Sequence, residues 1–480
     1  MSKSSFVRTA MIAPSLPPAS ERGVIKWLRE NLFSGPFNTI LTLVAIWAIY
    51  TLIKGSLPWL SNSVWNAESL RECRDIVIAQ SGEEATGACW AMVRVRWNQF
   101  LFGLYEVSEY WRPTTAFALM FVALTPVLYY GLRRPATILV GVVSVLLVLA
   151  LFGLGTDSGH ILMMAAIMAV LTAVAWIAPK RLVIVTILFP LIAFYMLWGG
   201  SVWGPVGTFV GFAIFALVWW IAQRFVGVVV AAAVGLIAAA IWWGTLQTAF
   251  TTALHTAMPI ELLYIRSDDF GGFLLAFVIG ITAITASLPI GILLALGRQS
   301  DMPIVKTLSV GFIEFFRGVP LITVLFAANF MLLYFLPPRT NFDLILRVII
   351  VVIIFASAYI AEVIRGGLAA LPRGQYEAAD ALGLDYWQAQ RLIIMPQALK
   401  ISIPGIVSSF IGLFKDTTLV ALVGLMDPLQ GVTKVVRSDT AWKGIYWEPY
   451  LFVGAIFFLV CFSMSRYSMY LENKLKTDHR

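Results

Sequence analysis

This sequence is short of charge. Only 12% of its 480 residues are Asp, Glu, Lys or Arg, about half the share of a soluble domain, so a water-soluble fold is excluded. Cysteine is scarcer still: Cys73, Cys89 and Cys461 are too few for a disulfide scaffold. The three histidines, His160, His255 and His479, are scattered, and no metal site is expected. The dipeptide Gly-Lys does not occur, which rules out a Walker A phosphate loop. No H-E-x-x-H or G-x-S-x-G stretch offers catalytic chemistry instead, so no catalytic residue is assigned and the chain is not expected to be an enzyme. The strict alternation of a transmembrane barrel is also missing.

What is present is apolar length. The chain is 60% hydrophobic with a mean hydropathy of +0.85, and runs near the roughly 20 residues that cross hydrocarbon recur throughout. Spans are expected at 37–53, 114–131, 136–153, 160–177, 182–198, 207–222 and 228–243, then at 273–296, 312–336, 344–364, 403–425 and 450–470. The fold class is therefore all-α, a polytopic transmembrane helical bundle of about twelve spans. Residues 1–36 read as a flexible, basic cytoplasmic tail without a cleavable signal. Residues 37–247 form a first group of spans with a large periplasmic loop at about 54–113, and a change of character near 250–269 marks a boundary. The net charge of +8 sets topology rather than attracting nucleic acid: Arg133, Arg134, Lys180, Arg181, Arg224, Arg298, Arg373, Arg391 and the C-terminal Lys474, Lys476 and Arg480 all fall on the inner side. Both termini are then cytoplasmic. Cys73 and Cys89 share the outer loop, where an oxidising compartment permits either a bridge or two free thiols.

One stretch, "GQYEAADALGLDYWQAQRLIIMPQAL" (374–399), is a polar island on the inner side. Pro372 stops the preceding helix. Glu377 and Asp380 share one arc of a helical wheel, while Ala378, Ala379 and Leu382 occupy the opposite one. Gly383 falls where a helix C′ residue takes positive φ, and Asp385 is placed to cap a second helix with Gln388 at N3. Small alanines that allow close approach and a single orienting carboxylate suit a surface gripped by another protein. A helix lying on the bilayer is the plainer reading, but it would carry Lys or Arg on its polar arc, and this one carries carboxylates.

Glu377-Ala378-Ala379, three residues, Gly383, nine residues, then Ile393-x-Met395-Pro396 resembles the EAA loop of ABC-importer permeases, with Met395 where Leu is usual. "LPIGILLALGRQS", "FIEFFRGVPLI", "AEVIRGGLAALPRGQYEAADALG" and "LFKDTTLV" are similar to the polar amino-acid (histidine-permease-like) family over about 270–471. The N-terminal half resembles the large permease subunit of general L-amino-acid transport systems. The resemblance implies an ABC-importer transmembrane domain at 270–471 whose EAA loop, about 372–402, couples to a separate cytoplasmic ABC ATPase dimer. Coupling would rest on Glu377, Ala378, Ala379, Gly383, Ile393 and Pro396. It also implies a homologous permease subunit, a periplasmic amino-acid-binding protein, membrane lipid around the bundle, and a bacterial inner membrane. No cofactor is expected in this chain, ATP and Mg being held by the partner ATPase.

Ionisable residues inside spans are costly and mark solute paths. Lys415 and Asp416, with Thr417 and Thr418, are candidates for a translocation path, against the alternative of a self-neutralising pair at a helix end. Glu314 with Arg317, and Glu362 with Arg365, are i,i+3 pairs that are more often structural. A different class of protein, an ion-coupled secondary amino-acid transporter, would show Gly/Pro-broken spans at matching places in two halves, and the sequence has no such repeat.

Overall fold

The computed structural model describes residues 23–335 and 343–476. The charges at Lys3, Arg8, Arg22 and Arg480, His479, and the last residue of the span expected at 312–336 lie outside the described residues. Among the described residues two compact units emerge, one of residues 23–95 with 440–448 and one of residues 96–335, 343–439 and 449–476.

In the first unit α1 (Gly23–Asn31) is followed by α2 (Pro36–Ser61), α3 (Leu70–Ser81) and α4 (Ala91–Val95). The tail expected to be flexible up to residue 36 is therefore helical from Gly23. Its alternation of two apolar and one or two charged residues supplies the helical period. Helix α2 starts with Pro36 at its first turn, a position where the missing N–H costs nothing. It runs on through Lys54 to Ser61, past the expected end at 53, because a single lysine near a span end does not stop a helix. Beyond it, Ser69 caps α3 by accepting from the Glu72 N–H. The backbone of Val64 exchanges hydrogen bonds with Ala88 and Trp90 at 2.7 and 2.8 Å. This geometry brings Cys73 and Cys89 together as a disulfide with Cα atoms 5.9 Å apart. Both cysteines are 2% exposed, and the Cys89 N–H donates to the buried Glu448 carboxylate at 2.8 Å.

The second unit is the helical bundle. Its helices are α5 (Trp97–Phe102), α6 (Trp111–Leu128), α7 (Arg133–Gly153), α8 (Ser158–Ile177), α9 (Val183–Trp198), α10 (Trp203–Ala222), α11 (Val228–Ile241), α12 (Gln247–Ala257), α13 (Gly272–Gln299), α14 (Pro303–Gly318), α15 (Leu321–Phe326), α16 (Leu332–Phe335), α17 (Leu344–Ala369), α18 (Arg373–Ala381), α19 (Tyr386–Ala389), α20 (Met395–Asp416), α21 (Pro428–Ser438) and α22 (Trp447–Lys476). Counting α2, eleven helices among the described residues are long and apolar enough to cross a membrane, or twelve if one bent pair is a single span. The protein is a multi-pass membrane protein.

That bent pair corrects the span expected at 312–336. Residues 312–318 belong to α14, and the chain then turns through 102° into Leu321–Met331. Pro320 is the cause: it has no N–H to continue α14, and it forces Val319 to an extended φ of −103° and ψ of 133°. Close packing elsewhere depends on small residues. A Cβ on Gly291 of α13 would lie 2.6 Å from the Ile360 side chain of α17, so these two helices meet at a distance only glycine allows.

Candidate functional site

The polar island folds as helix, turn, helix. Helix α18 ends in a Schellman motif: the Gly383 N–H donates to Asp380 O at 2.9 Å and the Leu384 N–H to Ala379 O at 3.3 Å. Gly383 has φ +69°, the left-handed conformation its position in the sequence predicts. Asp385 then forms a reciprocal capping box with Gln388, at 2.9 and 3.1 Å. A π-turn at Gln390–Ile394 lets the helix continue into α20 although Pro396 supplies no N–H. Ile394 is fully buried among Ile313, Ile360, Ile364 and Ala398, with Tyr376 and Ile393 packed alongside. This small core seats the loop on α13, α17 and α20.

Seating divides the six EAA residues. Ala379 is 1% exposed and faces the bundle, so it is not available to a partner; the expectation that both alanines face outward is corrected. They are consecutive and hence about 100° apart around the helix. Glu377 and Ala378 are exposed, Ile393 is packed inside and Pro396 sits in the first turn of α20. Four apolar side chains that the sequence reading did not assign lie open on this loop: Leu382 at 72%, Tyr386 at 53%, Trp387 at 65% and Leu392 at 64%. Uncovered apolar side chains grouped beside polar loop residues mark an interaction surface.

Of the two pairs expected near the same end of the bundle, Glu362 with Arg365 forms and Glu314 with Arg317 does not. Glu314 bonds Arg298 at 2.9 Å rather than its own-helix neighbour Arg317. Glu362 is the hub, taking Arg298 at 3.2 Å, Arg317 at 3.5 Å and Arg365 of its own helix. The ends of α13, α14 and α17 thus share one network of three guanidinium groups and two carboxylates. Helix-wheel reasoning finds only partners within one helix, so Arg298 was invisible to it. Arg317 also lies 5.9 Å from the Tyr359 ring centroid.

Tyr359 in turn lines a cavity of about 390 Å³, together with Pro320, Leu321, Phe355, Ser409 and Asp416. Of the four residues expected to line a path, Asp416 lines this cavity. Lys415 is exposed and absent from the lining, Thr417 is buried and donates to Phe414 O, and Thr418 donates to Lys415 O. The paired-charge arrangement is corrected: about 100° separates neighbours on a helix, and Lys415 falls on the exposed side while Asp416 meets the cavity.

Sequence reasoning also missed Arg112. Its charge made the span seem to begin at 114, whereas helical structure starts at Val107 and Arg112 is fully buried. A helix leaves its last four carbonyls without intrahelical partners, and those of α9 are all answered. Tyr195 O accepts from Gly199 N–H at 2.9 Å, Met196 O from Arg112 Nε at 2.6 Å, Leu197 O from the Tyr105 hydroxyl at 2.7 Å, and Trp198 O from Ile265 N–H at 2.9 Å. Arg112 also donates to Leu263 O at 2.8 Å.

A second buried polar group caps α21. The Asp427 carboxylate accepts from the Leu429 and Gln430 N–H groups at 3.1 and 2.9 Å. Burial pushes its pKa up to about 6 against the opposing pull of these donors. The folded state therefore prefers the protonated acid, and stability is lost as pH rises from the ordinary Asp value of about 3.9 through 6, by on the order of 2–3 kcal/mol. Acidification from pH 7 to pH 5 is expected to raise the thermal midpoint in detergent, and Asp427→Asn, which keeps an accepting cap, is expected to flatten that response. An unchanged pH slope in the variant would remove Asp427 as its source.

Residues 287–477 match the family model described as the binding-protein-dependent transport system inner membrane component. A glutamate/glutamine/aspartate/asparagine transport system permease protein of Rhodobacter capsulatus is 60% identical over 480 residues, 100% of both chains. The chain belongs to the binding-protein-dependent transport permeases. An inner membrane amino-acid ABC transporter permease protein of Escherichia coli K12 is 35% identical over 459 residues, 95% of this permease and 94% of that one. A glutamate/aspartate import permease protein of Escherichia coli is 31% identical over 209 residues, 42% of this permease but 91% of its own length. Permeases of this family therefore occur in a short form and in a long form, and this permease is of the long form.

Proposed function

We propose that this permease is the membrane-spanning subunit of an ATP-driven ABC importer, carrying polar L-amino acids from periplasm to cytoplasm across a bacterial inner membrane. The observation that carries this reading is 60% identity along the whole length of a permease named for glutamate, glutamine, aspartate and asparagine. In this reading the α18–α19 loop is cytoplasmic, as are both termini, and it docks on a separate ATPase dimer that holds ATP and Mg. Tyr386, Trp387, Leu382 and Ala378 supply the contact and Glu377 orients it. A homologous permease completes the second half of the pathway, and a periplasmic binding protein delivers the solute.

The 390 Å³ cavity is at the small end of ligand-sized sites, roughly 300–1,000 Å³. Asp416 offers its carboxylate to the α-ammonium of an amino acid. The guanidinium network around Glu362 lies next along the path, through Tyr359, and offers cationic partners to the solute's carboxylates. Asp416→Asn is expected to lower uptake into proteoliposomes containing ATPase and binding protein by roughly tenfold or more, the worth of a charge-assisted hydrogen bond, with assembly intact. Uptake at the parent rate would remove Asp416 from the path. Uptake without ATP or partner subunits would overturn the importer reading itself.

A further inference from the structure

Helix α1 (Gly23–Asn31) is unaccounted for by transport. Its sequence, GVIKWLREN, places Val24, Ile25, Trp27 and Leu28 within an arc of about 160° and leaves Lys26, Arg29 and Glu30 on the remainder. The apolar arc is uncovered: Val24 is 72% exposed, Ile25 57% and Trp27 56%. Nearby Phe33 and Phe37 are open as well. Such a face is not left in water by a stable protein.

Two further observations say what covers it. Four residues join α1 to the membrane-spanning α2, and the Thr42 hydroxyl donates to Leu32 O at 2.7 Å. Thr42 lies six residues inside α2, about 9 Å from its start at 1.5 Å per residue. The chain just after α1 is thus drawn back beside the first turns of the span, an offset comparable with the about 5–10 Å to which interfacial helices bury their apolar side. The charge on the other arc is complementary to one surface. Residues 1–31 carry Lys3, Arg8, Arg22, Lys26 and Arg29 against Glu21 and Glu30, and Glu30 is itself paired with Lys26 at 3.7 Å.

We infer that α1 is an interfacial anchor, lying in the plane of the bilayer with Trp27 and its apolar neighbours among the upper acyl chains and its basic side chains on anionic phospholipid headgroups. The bilayer, not a protein, is the partner of this surface. In this arrangement α1 fixes the depth and rotation of α2.

The test uses the full chain in vesicles of phosphatidylcholine, with and without phosphatidylglycerol. In a Cys461→Ser background, Val24→Cys and Glu30→Cys each carry an environment-sensitive fluorophore. The Val24 probe is expected to be quenched by spin-labelled lipid and shielded from iodide, and the Glu30 probe to show the reverse. Anionic lipid is expected to strengthen this contrast, and Lys26→Glu with Arg29→Glu to weaken it, by about fivefold in the docked-to-free ratio per lost basic side chain. Equal iodide access at both probes would overturn the inference. So would protection of Val24 that arises only when the ATPase is added, since the surface would then belong to a protein partner. A contrast indifferent to anionic lipid would overturn the headgroup assignment.

Discussion

Trp387→Ala is expected to weaken docking of the ATPase by roughly 30-fold, the consequence of losing about 2 kcal/mol from an exposed aromatic anchor. Trp387 is 65% exposed and its ring meets that of Tyr386 edge-on, with centroids 5.3 Å apart, so the pair projects as one block from the end of the loop. The substitution touches neither the small core around Ile394 nor the disulfide-bonded unit, and insertion and folding are expected to be unchanged. Gly383→Val reaches the same interface by another route. A β-branched residue at φ +69° costs on the order of 1–3 kcal/mol, which tilts α18 relative to α19 and separates Glu377 from Trp387. Both variants are expected to lose stimulation of ATP hydrolysis by loaded binding protein in reconstituted complexes. Glu377→Lys separates docking on a protein from contact with lipid: it should uncouple an ATPase, whereas on a membrane surface it would only strengthen attraction to anionic lipid. Full stimulation in all three variants would sink the coupling assignment.

The second large effect is on stability. Arg112→Leu removes the donor to Met196 O and Leu263 O, leaving one buried and one part-buried carbonyl unpaired and the C-terminal dipole of α9 without its cation. A cost of about 3 kcal/mol is expected, seen as a lower thermal midpoint and faster loss of the monodisperse species in detergent. Arg112→Lys keeps the charge but not the fork of donors, and is expected to recover part of the loss. Equal midpoints for the parent and the Leu variant would show that the cap on α9 does not bear on stability.

Much of this protein was legible before any tertiary contact was known. Apolar run length specifies a polytopic helical bundle because the bilayer admits little else. The EAA spacing, the positive φ at Gly383 and the Asp385 capping box are local, governed by backbone sterics and hydrogen bonds within a few residues, and each follows from the residues themselves. Local rules go no further than the element they describe. They could not see that Arg298 joins the Glu362 network from another helix, that Arg112 belongs inside the bundle, or that Pro320 bends a span through 102°. Nor could they divide neighbours: Asp416 lines a cavity while Lys415 turns away, and Ala379 is buried while Ala378 is open. The sequence by itself determined the membrane habit, the approximate number of spans and the helix–turn–helix form of the polar loop, since these depend on composition and short-range geometry. Only the tertiary structure decided which face of each helix meets protein, cavity or partner, because facing is set by helices that approach from far along the chain.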